Sequence, residues 1–300
     1  MMRNWFAKAN SEPQQSNAVI RVIGDRGSGK TGYMASLARW PNADPTSPVQ
    51  TVIAIGESGE ELISQAQNIL EQGLELEATT LTGDAAQLPD YTLSITLKKQ
   101  FSRRNPQMSG SNLVTLNISC KDYAGEFFSD LLQRSGDPLL EQYLEDCSQA
   151  TGIIFLVDGN SRAKDGEYAN GLDKFLTSLD RTDINTKTRS IALVLNKCEQ
   201  SELWVNRHKP GFLAQARFPQ TCRKLKTWEQ LGSGKVDYFT ASAFGMLGSR
   251  YPEPNVQVLK RGRDGVTAVI KNPKLWRPFG LVAPIYWLCT GDRHQELDKG

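Results

Sequence analysis

Residues 18–23 are mostly apolar and lead directly into Gly24-Asp-Arg-Gly-Ser-Gly-Lys-Thr31, after which residues 33–40 read as a helix stopped by Pro41. Strand, glycine-rich turn and helix in immediate succession leave few folds open. The Gly-x-x-x-x-Gly-Lys-Thr spacing is complete at Gly24, Gly29, Lys30 and Thr31. Glycines at these positions let the backbone curl so that successive N–H groups point inward at an anion. The helix that starts here aims its positive end at the same point. The expected cradle therefore comprises Gly24, Asp25, Arg26, Gly27, Ser28, Gly29, Lys30, Thr31 and Gly32. In it Lys30 reaches the β- and γ-phosphates of a nucleotide, and the Thr31 hydroxyl ligates Mg²⁺. The loop by itself does not choose between adenine and guanine.

The rest of the chain supports a sheet around that loop. Residues 152–157 and 191–195 are continuous apolar runs of the kind buried parallel strands show, and residues 236–240 suit a further strand. Helical periodicity recurs at 127–132, 139–147, 168–179 and, around a break at Pro219, at 214–231. Residues 91–97 and 113–119 suit a hairpin with a long basic tip. The alternation predicts an α/β fold, a mostly parallel six-stranded sheet with helices on both faces. The hairpin supplies an antiparallel edge strand.

No Lys or Arg occurs between Trp40 and Lys98, whereas nine Asp and Glu do. Residues 41–90 therefore read as an acidic insertion. It carries a candidate strand at 49–55 and one amphipathic helix opened by a capping box at Ser58–Glu61. The expected organisation is a loose tail at 1–17, a nucleotide-binding domain at 18–245, and a C-terminal extension at 246–300. The extension is read as a basic hairpin around residues 263–265 and a final helix at 278–289, packed on the domain.

Composition removes several chemistries. The 5 cysteines are scattered without a C-x-x-C pair, and there are only 2 histidines. A disulfide framework, a zinc site and a histidine triad are thus all disfavoured. No apolar run is long enough to span a bilayer, and no signal segment opens the chain, so a cytoplasmic setting is expected. The net charge of +2 says little about partners.

Three further segments sit at strand ends: Asp122-Tyr-Ala-Gly125-Glu126, Asn196-Lys197-Cys-Glu199, and Ser242-Ala243. In an open α/β sheet all would face the crevice that holds the glycine-rich loop. Taken with that loop, their order resembles the D-x-x-G, N-K-x-D and S-A series of Ras-like P-loop small GTPases, over about residues 18–245. The resemblance implies binding of GTP or GDP with Mg²⁺, and hydrolysis that operates a molecular switch. It implies that Asp122 holds Mg²⁺ through water and that the Gly125 N–H meets the γ-phosphate. Asn196 would contact the base edge and Lys197 would lie over the ring. Glu199 would accept from guanine N1–H and the amino group, and the Ser242 and Ala243 N–H groups would meet the guanine carbonyl. Adenine offers no donor at those two positions, so it leaves such a carboxylate unpaired.

The chain departs from that pattern in three places. Glu199 stands for Asp, which moves the carboxylate by one methylene. Glu126 stands where the family orients water with Gln, and Arg26 stands where many members have Gly; slow hydrolysis is expected, with Lys30, Glu126 and Arg26 as the catalytic set. A switch threonine covering Mg²⁺ is sought among Thr79, Thr80 and Thr82, and Thr80 is favoured. The long gap before Asp122 and the C-terminal extension weakly resemble the bacterial double-GTPase group. A P-loop ATPase with Asp158 as its metal aspartate stays open as an alternative, as does a GTP-binding module with negligible turnover. The acidic insertion and the switch regions are expected to meet a protein effector. Nucleic acid is disfavoured, and peripheral membrane contact and a homodimer are left open.

Overall fold

Two strands set the centre of the fold because they cannot face water on either side. These are β5 (Gly152–Asp158) and β6 (Arg189–Asn196), buried along almost their whole length. The computed structural model describes residues 14–40, 48–72, 90–98, 114–122, 128, 130–131, 138–182, 189–248, 252–262 and 265–299. Around the centre lie β1 (Gln14–Ile23), β2 (Val49–Ile55), β3 (Asp90–Leu97), β4 (Val114–Asp122) and β7 (Gly234–Thr240). Together they form one seven-stranded sheet in the order β2-β3-β4-β1-β5-β6-β7. Strands β4, β1, β5, β6 and β7 are mutually parallel, and β3 is antiparallel to both β2 and β4.

Alternation along each strand divides the core in two. Ile154 and Leu156 face a layer built by α1 (Lys30–Arg39), α2 (Glu57–Gln72) and α8 (Val282–Thr290). Ile153, Phe155 and Val157 face the opposite layer of α3 (Pro138–Ser148), α4 (Asp165–Thr182), α6 (Pro210–Arg217) and α7 (Pro219–Gln230). Full burial of one ring such as Phe155 stabilises by about 1.5–3 kcal/mol. Two short helices, α5 (Ser201–Trp204) and α9 (Gln295–Lys299), complete the set among the described residues. Gly152 lets α8 lie flat on the sheet, since a Cβ there would fall 2.8 Å from a methyl of Leu288.

The expected α/β sheet with helices on both faces is present, with three differences. First, there are seven strands and not six, because the acidic insertion contributes β2 to the sheet. Second, β2 covers β3, so the antiparallel strand is the second from the edge. Third, α2 starts at Glu57, straight after Gly56 at φ 85°, so Ser58 lies within the first turn and is not the cap. The apolar face read for that helix is buried as its period required, through Leu62, Ala66, Ile69 and Leu70.

In the extension, a two-residue pair β8 (Met246–Leu247) and β9 (Glu253–Pro254) precedes the hairpin β10 (Val256–Gly262) and β11 (Gly265–Ile270). The last helix begins at Val282 and not at 278, because Phe279 forms an antiparallel bridge with Ser242 and Gly280 turns at φ 68°. Of the loose tail expected at 1–17, residues 14–17 are instead part of β1 and pair with β4; residues 1–13, the threonines 79, 80 and 82, the hairpin tip, Gly125 and Glu126 lie outside the described residues.

Candidate nucleotide site

The glycine-rich turn hangs from the end of β1. Gly24 passes so close to β5 that a Cβ would fall 2.2 Å from the Leu156 carbonyl oxygen. The Ser28 N–H donates to the Asp25 carbonyl (3.2 Å), closing the turn, and the Tyr33 N–H donates to the Gly29 carbonyl (2.9 Å), opening α1. No side chain caps α1, so its first-turn N–H groups keep their bias toward an anion. Buried Lys30 folds back over the loop, its Nζ donating to the carbonyls of Gly24 (3.0 Å) and Asp25 (3.2 Å). Arg26 is exposed, and its N–H donates to the Asp25 carboxylate (2.7 Å). The other Asp25 oxygen pairs with Lys164, which sits on the short turn after β5. Thr31 and Gly32 follow in the first turn of α1, half-buried.

Asn196 closes β6 and is almost wholly buried, at 1% exposure. Its Nδ2 donates to the carbonyls of Ser28 (2.9 Å) and Gly29 (3.4 Å), tying the second loop to the first. Its Oδ1 and the Ser28 Oγ are buried without a hydrogen-bond partner. Lys197 adopts the left-handed conformation at φ 60°. Its Nζ donates to the Gly27 carbonyl (2.6 Å) and to Asp158 (2.7 Å). Asp158 also accepts from the Asn160 N–H (2.9 Å), so both of its oxygens are engaged. Cys198 is buried and its thiol is pushed up to about 12, chiefly by burial, which makes it a poor nucleophile.

Glu199 is 2% exposed and accepts from the Ser242 hydroxyl (2.7 Å). Burial raises its carboxyl above the ordinary range, and the Ser242 bond opposes that shift. The Ser242 N–H donates to the Phe279 carbonyl (2.9 Å), and the Phe279 N–H donates back to the Ser242 carbonyl (2.9 Å). Gly32 and Ala243 are close, a Cβ on Gly32 lying 3.9 Å from that of Ala243. Register places Asp122, the last residue of β4, beside Val22, two positions before Gly24.

Structure thus brings the glycine-rich loop, Asn196, Lys197, Glu199, Ser242, Ala243 and the strand end at Asp122 to the carboxyl end of the parallel strands. Three of the sequence-based roles meet competing bonds. The Asn196 Nδ2 is engaged with the glycine-rich loop, the Lys30 Nζ with the carbonyls of Gly24 and Asp25, and the Ser242 N–H with Phe279. Sequence reasoning did not find Lys164, Ser36, Trp276 or Phe279, which belong to no short motif and reach the site only through tertiary packing. Among the described residues no group of three or more His, Cys, Asp or Glu could hold a metal, and no helix is long and apolar enough to cross a membrane.

No family profile matches the sequence, and no curated protein matches it. The chain is weakly similar to some solved structures. A small COPII coat GTPase from Encephalitozoon cuniculi in complex with GDP matches at 13% identity and TM-score 0.30, over 77% of this chain and 70% of that one. The Ski7 GTPase-like domain of S. cerevisiae, bound to GTP, matches at 13% identity and TM-score 0.37, over 77% and 43%. The signal recognition particle receptor complex SRb-GTP/SRX from Chaetomium thermophilum matches at 14% identity and TM-score 0.36, over 76% and 94%.

Proposed function

We propose that this chain binds GTP with Mg²⁺ and hydrolyses it slowly to GDP, as a switch. The observation that carries the reading is the junction at Asn196. There the loop that would read the base is bonded through Nδ2 to the loop that would hold the phosphates. Phosphate and base contacts then form one rigid unit, and the buried, unpartnered Ser28 Oγ and Asn196 Oδ1 lie within it. Glu199, held by Ser242, supplies the carboxylate that guanine can satisfy and adenine cannot. The base carbonyl falls to the Ala243 N–H, since that of Ser242 is engaged.

Thr31 and Asp122 would hold Mg²⁺. A hydroxyl and a carboxylate are the oxygen donors a hard cation takes, and the register of β4 on β1 supports the pairing. When bound, the ion neutralises charge on the phosphate oxygens. Lys30 would orient the β- and γ-phosphates, the Gly125 N–H would meet the γ-phosphate, Thr80 would cover Mg²⁺, and Glu126 and Arg26 would complete the catalytic set. A carboxylate in place of a water-orienting amide is the reason for slow turnover. The ATPase alternative is weakened because both oxygens of Asp158 are already bonded, to Asn160 and Lys197. A protein effector on the acidic insertion or the switch segments would read the bound state.

Displacement of a fluorescent GTP by GTP, GDP and ATP, with and without Mg²⁺, tests the reading. ATP should compete at least about 100-fold more weakly than GTP, and Lys30→Ala should abolish phosphate release. Equal displacement by ATP would refute the guanine assignment.

A further inference from the structure

The loop at residues 241–245 owes its shape to a segment about 35 positions further along the chain. Buried Trp276 donates its indole N–H to the Ala243 carbonyl (2.8 Å), and buried Ser36 of α1 donates its hydroxyl to the same oxygen (3.1 Å). On the other side of Ala243, the Ser242 carbonyl accepts from the Phe279 N–H (2.9 Å). The carbonyl and N–H of a trans peptide point in opposite directions. Fixing the Ser242 carbonyl on Phe279 therefore aims the Ala243 N–H away from the segment. Both peptide units flanking Ala243 are held in this way.

Backbone contact on either side of Ala243 leaves no slack. Gly245 at φ 71° would place a Cβ 1.8 Å from the Arg277 carbonyl oxygen, and Gly280 at φ 68° would place one 2.0 Å from that of Thr240. The Ser242 hydroxyl, positioned by the same bridge, accepts from the Gly245 N–H (2.8 Å) and donates to Glu199 (2.7 Å). One segment thus orients both the backbone donor and the carboxylate assigned to the base.

We propose that residues 276–280 are the template on which the 241–245 loop is shaped, with Trp276 as a positioning residue that sets the preference for guanine. The preference half of this inference rests on the reading of the chain as a GTP binder. The template half does not.

Trp276→Phe keeps an aromatic ring and removes the N–H. Affinity for GTP and for GDP should fall together by about tenfold, the effect of one buried hydrogen bond lost. Affinity for ATP should hold, so the GTP-to-ATP ratio falls by the same factor. Ser36→Ala, which removes the longer of the two bonds, should give a smaller loss in the same direction. Parallel losses of GTP and ATP, or a loss of GTP without GDP, would overturn a role in reading the base.

Hydrogen exchange on the nucleotide-free protein separates the two halves. The amides of residues 243–245 should exchange at least about tenfold faster in Trp276→Phe at unchanged global stability. Unchanged exchange overturns the template. Faster exchange in a protein whose wild type does not prefer GTP to ATP retains the template and removes the guanine reading.

Discussion

Gly27 and Gly29 share a backbone region, at φ 76° and 88°, but not a neighbourhood. A Cβ on Gly27 meets nothing within 4 Å, whereas one on Gly29 falls 2.6 Å from the Asn196 Nδ2. Alanine at either site bears the left-handed cost of about 1–2 kcal/mol. At Gly29 the methyl also drives the Asn196 amide off the Ser28 carbonyl, stranding buried polar groups at a further cost of about 1–3 kcal/mol. Gly29→Ala should therefore bind nucleotide about 5- to 150-fold more weakly than Gly27→Ala. Titration of a fluorescent guanine nucleotide on both variants, with melting curves to confirm folding, measures the gap. In an Asn196→Ala background the gap should close, because the clashing atom is gone. Equal losses in the two variants, or a gap that survives removal of Asn196, would refute the reasoning.

Three further outcomes follow from the same contacts. Lys164→Ala leaves the Asp25 carboxylate without its ammonium partner inside the phosphate loop; a partly exposed pair is screened, so nucleotide affinity should fall only about three- to tenfold, and adding Asp25→Asn should restore it in a double-mutant cycle. Glu199 has a carboxyl raised by burial, so its contribution to stability is favourable below its ordinary pKa and lost as pH rises through the raised one. Glu199→Gln should consequently melt a few degrees higher than wild type at pH 8, by a margin that shrinks as pH falls, while losing the preference for GTP over ATP. Asp165, 5% exposed, accepts from the N–H groups of Gln220 (2.9 Å) and Thr221 (3.0 Å) at the start of α7. Asp165→Ala should cost about 1–3 kcal/mol, read as a lower Tm with nucleotide affinity of the folded protein intact.

How far the sequence could be read depended on how local each determinant was. The loop at residues 24–31 carries its geometry in its own glycines, and β5 and β6 announce double-sided burial through unbroken apolar runs. The helix break at Pro219 is local turn chemistry and stands where it was placed, with Pro219 opening α7. The edge position of β2 was harder, because its seven residues fit any open sheet edge and only pairing with β3 decides among them. The start of α8 was misjudged because Phe279 is held in a bridge with Ser242, far away in sequence, and Gly280 then turns at φ 68° before the helix. In the candidate site, Asn196 and Glu199 were proposed from the resemblance that their motif carries. Their actual bonds, to loop carbonyls and to Ser242, depend on depth of burial, which spacing does not encode.

The glycine-rich loop is made well before residues 281–289, which close over the strand and helix that hold it. The Ser16 hydroxyl donates to the Cys289 carbonyl across 273 positions, and the Tyr33 hydroxyl donates to the Leu281 carbonyl across 248. At about 5–20 residues per second, the covering helix arrives roughly ten to fifty seconds after the loop has been made. During that interval one side of β1 and the helix α1 lack their last apolar cover. Under the proposed function, capture of the nucleotide is then a late event, one that waits for residues 282–290 to be made.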